Sequence, residues 1–200
     1  IKIVEDAAHA LGAIYNNNLI GNHGNYTVFS FQAIKHLTSV DGGMLVCPNK
    51  SEVNRAKKLR WFGLSRKFNG SKWKQDISES GYKFHMNNVL AAIGILNLRN
   101  VKKRIMKHIS NGLYYDQNIS NSKITLLKRH GTVNTFWIYS LLVDNKKRFI
   151  EYLKKKNVEC DEIFIRNDNY TVFKRFKTRK LSGTDYFEKH NKRKYKHCIF

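Results

Sequence analysis

The sequence predicts an α/β protein with a larger N-terminal domain and a smaller α+β domain after it. Short apolar and β-branched runs typical of strands alternate with turn-forming residues in the first 50 positions. Apolar residues then keep helical spacing through residues 86–118, and a second set of strand and helix patterns follows. A length of 200 residues suits one large domain, or one domain and part of another. We therefore expect domains at residues 1–114 and 115–200.

The first 60 residues contain the patterns of three strands and a helix. Ile1 to Val4 is typical of a strand buried on both faces. The small residues from Ala7 to Gly12 favour a helix or a tight turn. Tyr26–Phe31 and Met44–Cys47 are β-branched, aromatic or apolar, as strands are. Ser51 is expected to cap a helix that runs to about Arg60.

The remaining sequence predicts a loop, a long helical region and a compact set of short elements. Residues 65–80 are polar and rich in Gly, Ser and Lys, which indicates a surface loop. After the helical region, the expected elements are strands at Ile124–Leu127 and Phe136–Val143, an amphipathic helix at Lys146–Lys156 and a further strand at Val158–Ile165.

Composition excludes several classes of protein and leaves one question open. The net charge of +22 fits a nucleic-acid or polyphosphate surface, or a solvated lysine-rich face. No nucleic-acid-binding motif accompanies the charge, so we do not expect nucleic acid as a partner. No apolar run approaches the ~18 residues of a membrane helix. Three scattered cysteines indicate neither a disulfide framework nor a zinc site. We expect a cytoplasmic protein without a metal or a membrane partner.

Three polar features follow predicted strands. Asp6 ends the first apolar run, Lys35 follows the strand that contains Phe29 and Phe31, and the pair Gly42-Gly43 comes soon after. Ligands bind at the carboxyl ends of strands in open α/β sheets. Taken singly, each feature has an ordinary structural explanation: a helix N-cap, a surface lysine and a turn.

Taken together, these segments resemble the DegT/DnrJ/EryC1/StrS family of sugar aminotransferases, which depend on pyridoxal phosphate. The resemblance is carried, in chain order, by Val4–Ala13, Phe29–Lys35, Asp41–Gly43, Leu59–Arg66 and Gly81–Asn88. The run Arg166-Asn167-Asp168, with Tyr170 and Phe173, resembles one branch of the family, although Phe164 stands where that branch has a histidine.

The resemblance implies a fold-type I transferase of the aspartate aminotransferase type, present as a fragment that lacks the family's N-terminal part. Residues 1–114 would be the C-terminal part of the large domain that binds pyridoxal phosphate. Residues 115–200 would be the small C-terminal α+β domain, truncated at its end.

The resemblance also implies roles for individual residues. Lys35 matches the catalytic lysine that binds the cofactor covalently and moves a proton. Asp6 matches the carboxylate that keeps the ring nitrogen protonated. His9 matches a hydrogen-bond partner of the phenolic oxygen, and Ser30 a hydroxyl that holds the phosphate. Lys83 stands where an asparagine usually reaches the phosphate of the neighbouring subunit, and His85 stands where arginine is common.

Arg166 is a candidate contact for a substrate phosphate or carboxylate. An ion pair between Arg166 and Asp168 is the structural alternative, and the sequence does not decide between the two.

The reaction that the resemblance implies transfers an amino group from glutamate to a nucleotide-linked 4-keto-6-deoxy sugar, in a homodimer that serves surface-polysaccharide biosynthesis. Two alternatives remain. One is a basic binding protein that keeps the fold without catalysis. The other is a sugar dehydratase of the same family, in which histidine replaces the lysine, so Lys35 argues against it.

Overall fold

The N-terminal sheet has three strands in the order β1-β4-β5 in the computed structural model, which describes residues 1–161, 166–176, 181–185 and 196–199. β1 (Val4–Asp6) pairs in parallel with β4 (Tyr26–Ser30), and β4 pairs antiparallel with β5 (Gly43–Val46). The β-branched and aromatic residues of β4 alternate across the sheet, so Thr27 and Phe29 are buried. The strands predicted at β4 and β5 are confirmed to within a residue.

The prediction for the first strand is wrong in position and burial. The strand begins at Val4, three residues later than expected. Ile3 and Val4 are exposed, and within the described residues β1 pairs with β4 alone. The residues from Ala7 to Gly12 form tight turns and no helix.

A second small sheet has the order β3-β2-β7. β2 (Ile14–Tyr15) and β3 (Asn18–Leu19) form a hairpin, and β7 (Thr132–Val133) pairs with the other edge of β2. The hairpin turn places Asn16 and Asn17 at φ of 46° and 64°, a region that asparagine tolerates better than most residues. β7 therefore brings residues from beyond position 128 back to the N-terminal part of the chain.

Two helices follow the N-terminal sheet. α1 (Lys50–Leu59) begins after Asn49, whose side-chain oxygen accepts a 3.0 Å hydrogen bond from the Glu52 N–H. The cap expected at Ser51 is thus wrong, because the extended backbone of Asn49 lets its carboxamide reach the first turn. α2 (Asn88–Asn118) is a single helix of 31 residues and confirms the long helical region.

The second half of the chain contains a three-stranded antiparallel sheet. Its order is β6 (Ile124–Leu126), β8 (Ser140–Val143) and β9 (Lys196–Ile199). Leu141 and Val143 are buried. α3 (Lys146–Lys155) begins after Asn145, which caps it. Of the strand expected at residues 158–165, residues 158–160 are not in a strand and residues 162–165 lie outside the described residues.

The chain divides into two compact units. One consists of Ile1–Ile109 and Arg129–Trp137, and the other of Ser110–Lys128 and Ile138–Phe200. The sequence pattern did not indicate that residues 129–137 return to the first unit, and the domain boundary between residues 114 and 115 stays a prediction. Within the described ranges, no helix combines the length and the apolar character needed to cross a bilayer.

Candidate active site

Asp6 and Ser30 lie at the same edge of the N-terminal sheet. Asp6 ends β1 and Ser30 ends β4, and parallel strands place their carboxyl ends together. The Asp6 Oδ1 accepts a 3.1 Å hydrogen bond from the backbone N–H of Ala8, so the side chain stabilises a turn and does not cap a helix. The Ser30 Oγ accepts a 3.3 Å hydrogen bond from the N–H of Gln32.

Lys35 lies on a closed loop that begins directly after β4. The backbone of Phe31 closes this loop: its N–H donates to the Gly42 carbonyl at 2.8 Å, and its carbonyl accepts from the Ser39 N–H at 2.9 Å. Within the loop, the Lys35 N–H donates to the Gln32 carbonyl at 2.9 Å. The lysine is therefore carried by a hydrogen-bonded loop at the carboxyl edge of the sheet.

Three side chains hold alternate carbonyl groups of this loop. Trp137 Nε1 donates to the Ile34 carbonyl at 2.8 Å. Arg104 Nη1 donates to the His36 carbonyl, and Asn97 Nδ2 donates to the Thr38 carbonyl at 3.0 Å. Asn97 and Arg104 both belong to α2. These donors fix the backbone on both sides of Lys35, which limits where its amine can lie.

Trp137 also contacts two of the predicted site residues directly. The Lys35 Nζ lies 3.6 Å from the centroid of the indole ring. The imidazole of His9 stacks on the same residue, with centroids 3.8 Å apart and planes inclined by 26°. The structure thus brings Lys35 and His9 together around a tryptophan that the sequence reasoning missed. The only signal in the sequence was an aromatic pair, Phe136-Trp137, at the start of the predicted strand Phe136–Val143.

The titratable groups of the site act on one another. Burial lowers the pKa of Lys35, and the carboxylate of Asp6 opposes that shift. Burial also lowers the pKa of His9, with a further contribution from the positive charge of Lys35, while Asp6 again opposes. Lys35 makes no ion pair within the part of the chain that the structure describes. An amine with a lowered pKa is more often neutral, and the neutral form is the nucleophile.

His36, the next residue, is a second feature that the sequence reasoning missed. It is buried, and its ring meets that of His108 edge-on at a centroid distance of 4.6 Å. Burial, His108 and Arg104 together lower the pKa of His36 to about 4. At neutral pH an uncharged imidazole therefore packs beneath the lysine loop.

Lys83 is placed differently from the other predicted site residues. Its backbone forms an isolated antiparallel bridge with Trp61, and its side chain is exposed. Nearby, the ring of His85 meets the Trp61 indole edge-on at 4.3 Å. In the described part of the chain, no contact joins Lys83 to Asp6, His9 or Lys35.

The contacts of Arg166 support the structural alternative. Its Nε and Nη2 donate to the two carboxylate oxygens of Asp168 at 2.6 and 2.7 Å, and Nη1 donates to Asp185 at 2.7 Å. Only 11% of the Arg166 side chain is exposed. Its guanidinium is therefore occupied by two carboxylates, and a substrate contact at Arg166 stays a prediction. Phe164 lies outside the described residues.

The donor set at the carboxyl edge suits pyridoxal phosphate. It consists of the amine of Lys35, the carboxylate of Asp6, which raises the pKa of that amine, the half-buried hydroxyl of Ser30 and the imidazole of His9. A cavity of about 430 Å³ is lined by Asp6 and His9, but not by Lys35 or Ser30. Such a combination can bind an aldehyde, hold a proton near a ring nitrogen and contact a phosphate.

Comparison with known proteins gives a matching family model and several similar proteins. The model of the DegT/DnrJ/EryC1/StrS aminotransferase family matches residues 1–190. An uncharacterised protein of Methanocaldococcus jannaschii is 35% identical over 181 residues, which are 82% of this chain and 46% of that protein. A UDP-4-amino-4,6-dideoxy-N-acetyl-β-L-altrosamine transaminase of Campylobacter jejuni is 32% identical over 117 residues, which are 58% of this chain and 30% of that enzyme.

Solved structures of similar proteins cover the whole chain. AtS13 from Actinomadura melliaura is 32% identical with a TM-score of 0.89, and this chain covers 52% of it. The sugar aminotransferase CalS13 from Micromonospora echinospora is 29% identical with a TM-score of 0.88, and 53% of it is covered. The chain thus spans about half the length of these relatives.

These likenesses confirm the fold class expected from the sequence, a fold-type I transferase. Pyridoxal phosphate is the cofactor of the family, and sugar aminotransfer is its activity. Because the family model matches 190 consecutive residues of the 200, this chain belongs to the DegT/DnrJ/EryC1/StrS aminotransferase family.

Proposed function

We propose that this chain supplies the catalytic lysine and carboxylate for amino transfer from glutamate to a nucleotide-linked 4-keto-6-deoxy sugar. The observation that carries the proposal is the placement of Asp6 and Lys35 at the carboxyl edge of the N-terminal sheet, where the carboxylate acts on the amine. A protein that only bound a partner through its basic surface would not need this pair.

Each residue has a defined task in the proposed reaction. Bound pyridoxal phosphate supplies an electron sink for the electron pair of a broken C–H bond. Lys35 Nζ would hold the cofactor through its aldehyde, with loss of water, and once the amine of the donor has displaced it, the free Lys35 amine would carry a proton between two carbon atoms. The Asp6 carboxylate holds a proton on the ring nitrogen, because a negative charge beside a base favours its protonated form.

The remaining site residues orient the cofactor in this proposal. His9 would donate a hydrogen bond to the phenolic oxygen, and Ser30 would donate one to the phosphate. Lys83 would contact the phosphate bound by a second copy of the chain, which suits its exposed side chain. A twofold dimer is the commonest oligomer of soluble proteins. We also propose that the protein is cytoplasmic, as expected from the sequence.

The name of the Campylobacter jejuni relative supports the substrate class. That enzyme is named as the transaminase of a UDP-linked 4-amino-4,6-dideoxy sugar. The net charge of +22 would also favour a substrate that carries a diphosphate.

Covalent capture of the cofactor tests the proposal. The purified protein is mixed with pyridoxal phosphate, reduced with borohydride and digested, and the mass increase is mapped to individual lysines. We expect the adduct on Lys35 and its loss in Lys35→Arg, which keeps the charge but has no amine that can condense with an aldehyde. Lys57→Arg, an exposed change on α1, is the matched control. An adduct spread over surface lysines, or unchanged by Lys35→Arg, would contradict the proposal.

A further inference from the structure

Among the described residues, Trp137 contacts Lys35, His9 and the backbone of the lysine loop at the same time. Its indole lies 3.6 Å from the Lys35 Nζ and 3.8 Å from the His9 ring, and its N–H donates to the Ile34 carbonyl. Neither the family match nor the similar proteins assign it a role.

We propose that Trp137 is a positioning residue for Lys35, whose indole face holds the ammonium group while its N–H fixes the backbone next to it. The inference rests on the proposed function, in which Lys35 is the lysine that binds the cofactor.

The chemistry of the contact supports this role. An ammonium group over an indole face is attracted by the negative electrostatic potential of the ring face, and the attraction grows where water is excluded. Lys35 is half-buried, and within the described ranges its ammonium makes no ion pair, so the indole is its close partner. The contact favours the protonated amine and gives it one location. Lys35 must leave the indole and lose a proton before it can bind an aldehyde.

The same ring also fixes His9. Stacking on the indole sets the plane of the imidazole and therefore the direction of its N–H. One side chain thus orients both an amine and a hydrogen-bond donor. Asp6, His9 and His36 are the titratable groups whose charges interact with Lys35, and none of them is changed in the variants described next.

Competitive labelling of Lys35 tests the inference without any cofactor. An amine-reactive reagent is added at a series of pH values, and the labelled fraction of Lys35 is compared with that of exposed Lys57 by peptide mass spectrometry. Trp137→Leu keeps an apolar cover but removes the ring, whereas Trp137→Phe keeps a ring. Both remove the N–H, so the difference between them measures the contribution of an aromatic ring face.

We expect Trp137→Leu to raise Lys35 labelling about threefold to tenfold at a pH below its pKa, as the loss of a partly desolvated cation–π contact implies. Trp137→Phe should raise it less. Equal labelling in the two variants, or no increase in either, would overturn the inference.

If Trp137→Leu does not fold, incorporation of fluorinated tryptophan at position 137 provides a second test. Successive fluorine atoms weaken the negative ring face with little change of size, so Lys35 labelling should rise with each fluorine. A flat series would also overturn the inference. The labelling experiment contains no cofactor, so its result does not depend on which lysine forms the adduct with pyridoxal phosphate. A failure of the proposed function can therefore be told apart from a failure of this inference.

Discussion

Asn97 on α2 donates a 3.0 Å hydrogen bond from Nδ2 to the carbonyl oxygen of Thr38, which lies on the loop that carries Lys35. We expect Asn97→Leu to lower the free energy of unfolding by about 1–3 kcal/mol, because a half-buried carbonyl loses its donor. Capture of pyridoxal phosphate by Lys35 should slow as the loop loosens. Urea unfolding and a borohydride time course measure the two effects.

Asn100→Leu is the matched control for that change. Asn100 is an exposed residue of the same helix, so the substitution alters helix propensity in the same way without touching the loop. Equal effects of the two substitutions would show that the hydrogen bond to Thr38 contributes nothing specific.

His36 should make stability depend on pH. Its pKa is lowered to about 4 in the folded protein, against about 6.5 in an unfolded chain. Between these values the unfolded state binds a proton that the folded state does not, so stability is lost as pH falls through this window. The loss at the lower end is up to about 3 kcal/mol.

Unfolding curves at pH 7 and pH 4.5 test this expectation. His36→Gln cannot titrate, so its stability should fall less between the two pH values than that of the unchanged protein. Arg104 and His108 contribute to the lowered pKa of His36 and stay in place in this comparison. Parallel losses in both proteins would assign the acid sensitivity to other groups.

The ion pairs of Arg166 are expected to contribute to stability. Arg166→Met removes the ion pairs with Asp168 and Asp185, which should lower the free energy of unfolding by about 1–2 kcal/mol, because Asp185 is partly exposed and water screens its charge. Arg166→Lys restores the charge but not the bidentate hydrogen bonding to Asp168, so it should recover only part of the lost stability. A variant that unfolds like the unchanged protein but has a raised KM for the sugar nucleotide would favour the substrate contact instead.

Val40, on the same loop as Lys35, has a φ of 71°, which is unfavourable for a β-branched residue. We expect Val40→Asn to raise the free energy of unfolding by about 1 kcal/mol, because asparagine tolerates this conformation better. Val40→Ala removes the branching but keeps a Cβ, so its gain should be smaller. Thermal unfolding measures both, and a loss of stability in Val40→Asn would mean that the valine side chain matters more than its backbone strain.

The sequence predicted the elements whose patterns are local. The strand at Tyr26–Ser30 consists mostly of β-branched and aromatic residues, and the long helix α2 follows an apolar repeat. The start of α1 was missed, because Ser51 and Asn49 are both good caps and only the backbone decides between them. The burial of the first strand was also missed, since an apolar run does not reveal how many neighbours it will have.

At the site, the sequence predicted Lys35 and Asp6 as catalytic residues and missed the side chains that contact Lys35 and its loop. Lys35 and Asp6 lie in segments that resemble the family. Trp137 is more than 100 residues away from Lys35 in the sequence and contacts it only in the folded chain. Asn97 and Arg104 left a weak signal. They follow Leu90 at intervals of seven, so they are polar residues on an apolar helix face. A polar residue on the apolar face of a helix can thus indicate a hydrogen bond to a carbonyl group packed against that face.

The presence of Lys35 should decide the reaction that the active protein containing this chain performs. The amine at Nζ can take a proton from one carbon and return it to another, which completes amino transfer. A dehydratase needs the lysine to be absent, because a free amine would recapture the cofactor before a C–O bond breaks. With ¹⁵N-labelled glutamate and a nucleotide-linked 4-keto-6-deoxy sugar, we expect ¹⁵N in the sugar product and no loss of oxygen from the neighbouring carbons, as measured by mass spectrometry. Lys35→Arg should abolish the transfer. An unlabelled, deoxygenated sugar, or transfer that persists in Lys35→Arg, would assign the chemistry to a different group.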